Sequence, residues 1–372
     1  MNNKNLTTIE IKKINKNNIY QYIYFKKQCS KQNITTDLNI GLTSLNQNLK
    51  ALEKENLIQK GGFYESTGGR KAYALEINKN ARISIGIEIL KNKLYIISIN
   101  LYGEVLHTKV INEKFVSSIH YCKKIGQYLQ EFIYDYSIKE NTLLGVTITL
   151  QGIISKNGNT ISYSPLLDNT DLTLDDFQKY IPYPCCFEHD SKAAAYLECW
   201  HKKEFSDAFV LLLNDNLGSA VVTNQKVHYG KQMHSGIIEH MTISLNGETC
   251  YCGKKGCLET YCSAQALLKG EKASEFFKKV RLNEDGGKWK EYLNVLSFAI
   301  SNIHTIFDVP IIISGYLASY IIDDDLKYIL YRIHQQYAFS FDEDYLHLSD
   351  YGRFAPAIGG ALIYIDQFIA QV

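Results

Sequence analysis

Residues 82–111 read RISIGIEILKNKLYIISINLYGEVLHTKVI. Three β-branched, alternating runs at 82–90, 93–101 and 104–111 are joined by short polar turns, one of them at Tyr102-Gly103. Alternation with connectors this short predicts antiparallel strands laid side by side. A helical stretch from about Ile119 to Tyr136 follows, and then LLGVTITLQG at 143–152, a further strand. Three antiparallel strands, a helix and another strand are the opening of an RNase H-like lobe.

A similar order recurs downstream. AFVLLLNDN at 208–216 and SAVVTNQKV at 219–227 read as strands, followed by helical stretches around 261–281 and 288–307, then PIIISG at 310–315 and more helix. The repetition predicts a two-lobe, actin-like α/β body with a cleft between the lobes. Pro182-Tyr183-Pro184 marks a bend before CCFEHD at 185–190. The expected division is a head over 1–80, a first lobe over 81–188 plus 356–372, and a second lobe over 189–355. Only the polar stretch at Asn78-Lys79-Asn80 resembles a linker.

Composition bounds the function classes. The chain has 372 residues, 45% hydrophobic and 21% charged, too long for a disulfide-stapled miniprotein and too apolar for a disordered chain. No run of about 18 apolar residues could span a bilayer. The start, MNNKNLTTIEIKKINKNN, lacks the apolar core of a signal peptide. A cytoplasmic location is therefore expected, with the nine cysteines reduced. The net charge of +1 conceals an asymmetry: residues 1–80 carry 13 basic and 6 acidic side chains, the remainder 27 and 33. A head at +7 on a body at −6 suggests a polyanionic partner for the head, although a Lys- and Asn-rich tail would show the same excess.

Patterning favours the partner. Ile14, Ile19, Tyr22 and Ile23 suit an amphipathic first helix, and Ser30 is a good N-cap for KQNITTDL. Asn39-Ile40-Gly41 offers turn chemistry, with Gly41 free to take positive φ. Leu42, Leu45, Leu49 and Leu52 then make the buried stripe of a third helix. Its other face shows Thr43, Gln47 and Lys50, flanked by Ser44 and Asn46, the hydroxyls, amides and ammonium that bind base edges and phosphates. Two short strands around Ser66-Thr67-Gly68-Gly69-Arg70 complete a hairpin whose tip, at Arg70 and Lys71, would meet the DNA backbone. The head is expected to be a winged helix-turn-helix, the plain alternative being a three-helix packing module with a solvated polar face.

The strongest chemical signal is SGIIEHMTISLNGETCYCGKKGCLETYCS at 235–263. His240, Cys250, Cys252 and Cys257 offer one imidazole and three thiols, with Gly253 and Gly256 letting the chain turn tightly around a centre. That set suits a closed, tetrahedral, structural zinc site; unligated cysteines or disulfides are the alternative. Cys262 falls outside the spacing. Cys29, Cys122, Cys185, Cys186 and Cys199 read as small buried hydrophobes.

The stretch from Gly236 to Ser263, with CYCGKKGCLE at its centre, resembles the signature of the ROK family of repressors, uncharacterised frames and sugar kinases. Glu188-His189-Asp190-Ser191-Lys192-Ala193-Ala194-Ala195 is similar to the family's E-N-D-x-N-x-A-A segment. The likeness spans essentially the whole chain, because the branch with xylose- and N-acetylglucosamine-responsive repressors carries a winged helix-turn-helix ahead of the kinase-like body.

The resemblance implies that Asp190, His240 and Glu259, with His189 where the family has Asn, face a sugar-like effector. In the family's kinases the residue at the position of Asp190 is the general base. The phosphate loops depart from the family's pattern: D-x-G-x-T reads Glu88-Ile89-Leu90-Lys91-Asn92, G-T-G-x-G reads Asn214-Asp215-Asn216-Leu217-Gly218, and the adenosine-side glycines shrink to Ser314-Gly315-Tyr316. Ile237 replaces the Glu three residues before the zinc His. The expectation is a sugar-responsive DNA-binding regulator, repressing rather than phosphorylating, that binds an operator duplex as a homodimer or homotetramer. A ROK sugar kinase and a ligand-independent regulator are the alternatives.

Overall fold

The computed structural model describes residues 7–63, 73–168, 170–337 and 345–372. The head runs α1 (Thr8–Lys26), β1 (Gln28–Cys29), α2 (Lys31–Leu38), α3 (Leu42–Lys54), β2 (Ile58–Phe63) and β3 (Tyr73–Ile77), the strands forming an antiparallel sheet in the order β1-β3-β2. Ser30 caps α2 as expected: its hydroxyl accepts from the Asn33 amide while the Asn33 side chain accepts from the Ser30 amide.

Two expectations for the head need correction. The left-handed turn residue is Asn39, at φ 50°, whereas Gly41 sits at φ −62° as the N-cap of α3; Asn tolerates that region because its short polar side chain can bond locally. Leu42 is 59% exposed, since it opens the helix ahead of the packed stretch, and the buried stripe is Leu45, Asn48, Leu49 and Leu52. Asn48 is tolerated there because its Nδ2 donates to the Ser44 carbonyl at 2.9 Å. Arg70 and Lys71, at the expected hairpin tip, lie outside the described residues.

The body opens with β4 (Ile83–Ile89), β5 (Leu94–Asn100) and β6 (Val105–Ile111), then α4 (Ile119–Asp135), β7 (Leu143–Leu150), the hairpin β8 (Ile153–Ile154) and β9 (Ile161–Tyr163), α5 (Leu174–Gln178) and β10 (Cys185–His189). The first sheet has the order β10-β7-β4-β5-β6. Helix α6 (Asp190–His201) follows, then β11 (Ala208–Leu213), β12 (Leu217–Thr223) and β13 (Lys226–His228). Next come α7 (Glu259–Cys262), α8 (Ala264–Leu268), α9 (Ala273–Arg281), α10 (Lys288–Ile306), β14 (Ile311–Ser314), α11 (Asp323–Gln336), β15 (Leu346–Leu348) and α12 (Ala355–Ile369). The second sheet has the order β13-β12-β11-β14-β15. Counted from their own first strands, both mixed sheets have the order 3-2-1-4-5, so the duplication seen in the pattern is real. SAVVTNQKV is a hairpin rather than one strand, turning at Asn224 and Gln225 with φ of 51° and 58°.

The alternation along β4 sorts its faces. Ile85, Ile87 and Ile89 share one apolar core with Cys122, Ile125 and Leu129 of α4. The other face carries Ser84, Gly86 and Glu88, and α12 lies on it. A Cβ on Gly86 would stand 1.9 Å from the Ala357 carbonyl oxygen, and one on Gly359 would stand 1.8 Å from that of Ala193. Glycine at these two positions lets α12 approach β4 on one side and α6 on the other.

The head is not tethered by a free linker. Its core of Ile19, Tyr20, Ile23 and Leu52 is continuous with Ile99 and Leu101 of the first lobe and with Ile365 and Ile369 of α12. Tyr24 Oη donates to the Leu101 carbonyl at 2.8 Å, and Gln21 Nε2 to the Ile369 carbonyl at 3.2 Å. Even the polar stretch at 78–80 is pinned: the Asn78 amide donates to the Leu57 carbonyl, and the Leu101 amide to that of Lys79.

Candidate effector pocket and metal centre

The cleft between the lobes is lined by His189, Asp190, Asn216, Ile237, Glu239 and His240, with Tyr251 beside them. Asp190 is the first residue of α6 and is 4% exposed. Its Oδ1 accepts from the Ser191 amide at 2.6 Å and lies 3.1 Å from His189 Nδ1. Burial pushes the His189 imidazole down, but the bond and ion pair to Asp190 outweigh it and hold its pKa above the usual value. His189, which stands where the family has Asn, therefore orients Asp190 as well as facing the cleft. Behind them Glu188 accepts from the His189 amide at 2.7 Å and from Tyr229 Oη at 2.6 Å.

Glu239 is a site residue that the reading of the chain missed. Ile237 does line the cleft, as an apolar replacement for the expected carboxylate, but Glu239 brings a carboxyl back two residues later. It is buried, its Oε2 3.2 Å from Ser219 Oγ. Burial pushes its pKa up to about 8, with the neighbouring Asp190 and Glu259 carboxyls adding to the rise and His189 opposing it. The signal available in the chain was its place beside His240 in a motif already singled out.

Glu259 lies buried behind Asn216 and Leu217 of the cleft lining. Its Oε1 accepts from Asn216 Nδ2 and its Oε2 from the Leu217 amide, both at 2.7 Å. It does not reach the lining of the cleft. It braces the β11–β12 turn from behind, and burial holds its pKa up at about 7 against those two hydrogen bonds.

His240, Cys250, Cys252 and Cys257 converge, their ligand atoms all within 4.8 Å of one another. His240 Nδ1 stands 3.7 Å from Cys250 Sγ, and Cys252 Sγ 3.7 Å from Cys257 Sγ. A tetrahedron of thiolates around zinc at about 2.3 Å has edges of about 3.8 Å, so the donor set fits that ion. The chain turns through Gly253 at φ 87° and Gly256 at φ 69°, and a Cβ on Gly256 would collide with the Ser244 backbone. Burial pushes the Cys250 thiol up to about 12; a divalent cation is what would convert such thiols to thiolates. Cys262 is buried outside this group, as expected. His240 both lines the cleft and belongs to this cluster, so the cluster stands against one wall of the pocket.

Where the family's kinases would hold nucleotide, side chains of the two lobes meet. Lys93, in the β4–β5 turn, lies 3.2 Å from Asp215 in the β11–β12 turn. Arg353 stacks over Tyr316 at 4.0 Å, and Asn214 Oδ1 accepts from the Tyr316 amide at 2.7 Å. Glu88 is buried below them with its pKa raised, by burial first and by Asp190 second.

On α3 the side chains of Thr43, Gln47 and Lys50 are exposed, while Ser44 and Asn46 are half-buried. Asn46 Oδ1 accepts from Lys31 Nζ at 2.7 Å, which ties α3 to α2. Among the described residues no helix is long and apolar enough to cross a membrane.

Comparison with known proteins agrees with this architecture. The xylose repressor of Bacillus spizizenii is 26% identical over 382 residues, covering 96% of this chain and 97% of its own. A ROK family transcriptional regulator described as a homologue of the E. coli MLC protein superposes with a TM-score of 0.72 at 22% identity, covering 97% of both chains. A ROK family glucokinase from Streptomyces griseus, solved with glucose and AMPPNP, superposes at 0.67 and 18% identity over 76% of this chain and 98% of its own. Residues 84–367 match the ROK family, and the chain belongs to it.

Proposed function

We propose that this chain is a cytoplasmic, sugar-responsive DNA-binding transcription regulator, a repressor without kinase activity. The observation that carries the reading is the head: α3 presents Thr43, Gln47 and Lys50 to solvent, on a helix–strand arrangement α1-β1-α2-α3-β2-β3 that suits a winged helix-turn-helix. The basic charge of residues 1–80 and the full-length likeness to a xylose repressor support it. Thr43, Ser44, Asn46, Gln47 and Lys50 would contact the duplex, with Arg70 and Lys71 at the hairpin tip. A homodimer or homotetramer would place two α3 helices in successive major grooves about 34 Å apart. The units doing this are a head over 1–80, a first lobe over 81–188 plus 356–372, and a second lobe over 189–355.

Three observations weigh against phosphotransfer. Phosphate loops need bare backbone close to the nucleotide, and here Asn214 and Asp215 occupy that turn. Asp215 pairs with Lys93 across the cleft, and Arg353 lies against Tyr316 in the same region.

The effector would be a sugar held by His189, Asp190, Glu239 and the wall built by His240. Zinc at His240, Cys250, Cys252 and Cys257 would be structural, since four protein ligands leave no open position for water activation. From the pocket, α6 runs directly from Asp190, packs against α12, and α12 ends on the head through Ile365, Ile369 and Phe368, the last 6.1 Å from Tyr20. A sugar that changes the angle between the lobes would move α12 and thereby the spacing of two heads.

The test is fluorescence polarisation of the full chain on the DNA upstream of its own gene, over a salt series, with and without a sugar panel that includes xylose and N-acetylglucosamine. Affinity is expected to fall steeply with salt, with a log–log slope of about −0.9 per phosphate contact, and one sugar is expected to weaken or strengthen binding. A flat salt dependence would sink the DNA reading. No response to any sugar, with DNA binding intact, would leave a ligand-independent regulator.

A further inference from the structure

A second cavity lies away from the sugar cleft, at the junction of head and body, and the comparisons assign it nothing. It has a volume of about 260 Å³ and is walled by Tyr24 and Lys27 of the head, Tyr102 of the β5–β6 turn, and Trp200 and Lys203 at the end of α6. A dry cavity of about 150 Å³ is enough for benzene, so this one accommodates a substituted aromatic ring. The Tyr24 and Tyr102 rings lie 4.8 Å apart, tilted by 31°. Lys27 Nζ sits 3.6 Å from the Tyr102 centroid, and Lys203 Nζ 5.4 Å from that of Trp200. Among the described residues neither lysine has a carboxylate within 4.0 Å, whereas ten other lysines form ion pairs. Lys27 also holds φ at 64° with ψ at −51°, a positive-φ conformation that a long side chain rarely takes and that surrounding structure must enforce.

From these walls we infer that the junction is a binding site for a small aromatic carboxylate, held by ring stacking against Trp200 and by the ammoniums of Lys27, seated over the Tyr102 ring, and Lys203. Two cations with no carboxylate within 4.0 Å among the described residues suit an anion, and the aromatic walls suit a flat one. A neutral sugar fits less well, because its hydroxyls need several acceptors and, among the described residues, Asp366 is the only carboxylate lining the cavity. Since Lys27 belongs to the head and Lys203 to the body, the ligand bridges the two. This site does not depend on the sugar cleft or on DNA binding.

The probe is 4-hydroxybenzoate, with 4-hydroxybenzamide as its uncharged isostere, titrated into the full chain by calorimetry and tryptophan fluorescence. The chain has two tryptophans, and Trp289 is buried elsewhere, so quenching reports Trp200. The carboxylate is expected to bind saturably and to quench, and the quench is lost in Trp200→Phe. Binding falls at least about tenfold for the amide and for Lys27→Gln and Lys203→Gln separately, while Lys27→Arg and Lys203→Arg retain it. No saturable heat, equal affinity for acid and amide, or a Lys27→Gln variant that binds as well as the parent each overturns the proposal. The last outcome would show that the head takes no part. Unchanged melting temperatures for the glutamine variants exclude unfolding as the cause.

Discussion

Gly359→Ala tests whether α6 and α12 are in the contact described. A Cβ there would sit 1.8 Å from the Ala193 carbonyl oxygen, against a floor of 3.0 Å for real Cβ contacts, so the helices must part by at least 1.2 Å. The obstacle is backbone, which cannot swing aside as a side-chain tip would. Overpacking of this kind costs about 1–3 kcal/mol, occasionally more, and the better helix propensity of Ala returns up to about 1 kcal/mol. The balance is a destabilisation of about 1–2 kcal/mol. With an unfolding entropy near 2.1 cal/mol/K per residue over 372 residues, that lowers Tm by roughly 1–3 °C if the chain unfolds as one unit. Urea denaturation and calorimetry of the parent and the variant measure it. Gly62→Ala, where no described residue lies within 4 Å of the added methyl, is the control and stays within about 0.5 kcal/mol. If Gly359→Ala matched that control, the helices would not touch and the proposed path from cleft to head would fail.

Replacing Cys257 with Ser is expected to reduce zinc content from about one per chain towards zero and to strip hydrogen-exchange protection from residues 240–262, since the ion supplies folding free energy to its loop; a variant that keeps full zinc would remove Cys257 from the ligand set. Gln47→Ala should cost about 1–3 kcal/mol of specific DNA affinity, while Lys50→Ala weakens all sequences alike and lowers the salt slope by about one, both read by polarisation; equal binding by both variants would place the contact face elsewhere. Lys93→Ala removes a half-exposed ion pair, so it should cost at most about 1 kcal/mol and should not produce ATP consumption with any hexose in a coupled assay. Asp176 is held down at about 2, first by Lys179 and then by the Thr173 cap. A carboxyl whose folded pKa is depressed contributes stability above its unfolded value, near 3.8, and loses it as pH falls towards 2. Asp176→Asn should therefore flatten the stability profile between pH 4 and pH 2, measured by urea midpoints, and an unchanged slope would count against the Lys179 and Thr173 contacts.

Much of the architecture was legible because its signals are local. Strand alternation over 82–111 and 143–152, the Ser30 cap, and the spacing of His240, Cys250, Cys252 and Cys257 each sit within a few turns of chain, where residue type and interval carry the information. The conversion of α3 from a four-leucine stripe to Leu45, Asn48, Leu49 and Leu52 was not legible, because period alone does not say where along a helix its neighbour begins to cover it.

What the chain alone determined was the pair of lobes, the metal loop and a basic, helical head. Only tertiary structure decided which carboxyl faces the cleft, since Glu239 and Ile237 differ by two positions in a short helical turn while Glu259 turns away to hold Asn216 and Leu217. Tertiary structure also paired Lys93 with Asp215 across the two lobes, and seated the head on α12 rather than on a tether. Those outcomes depend on groups distant in sequence meeting across packed elements, and no interval within one segment encodes such a meeting.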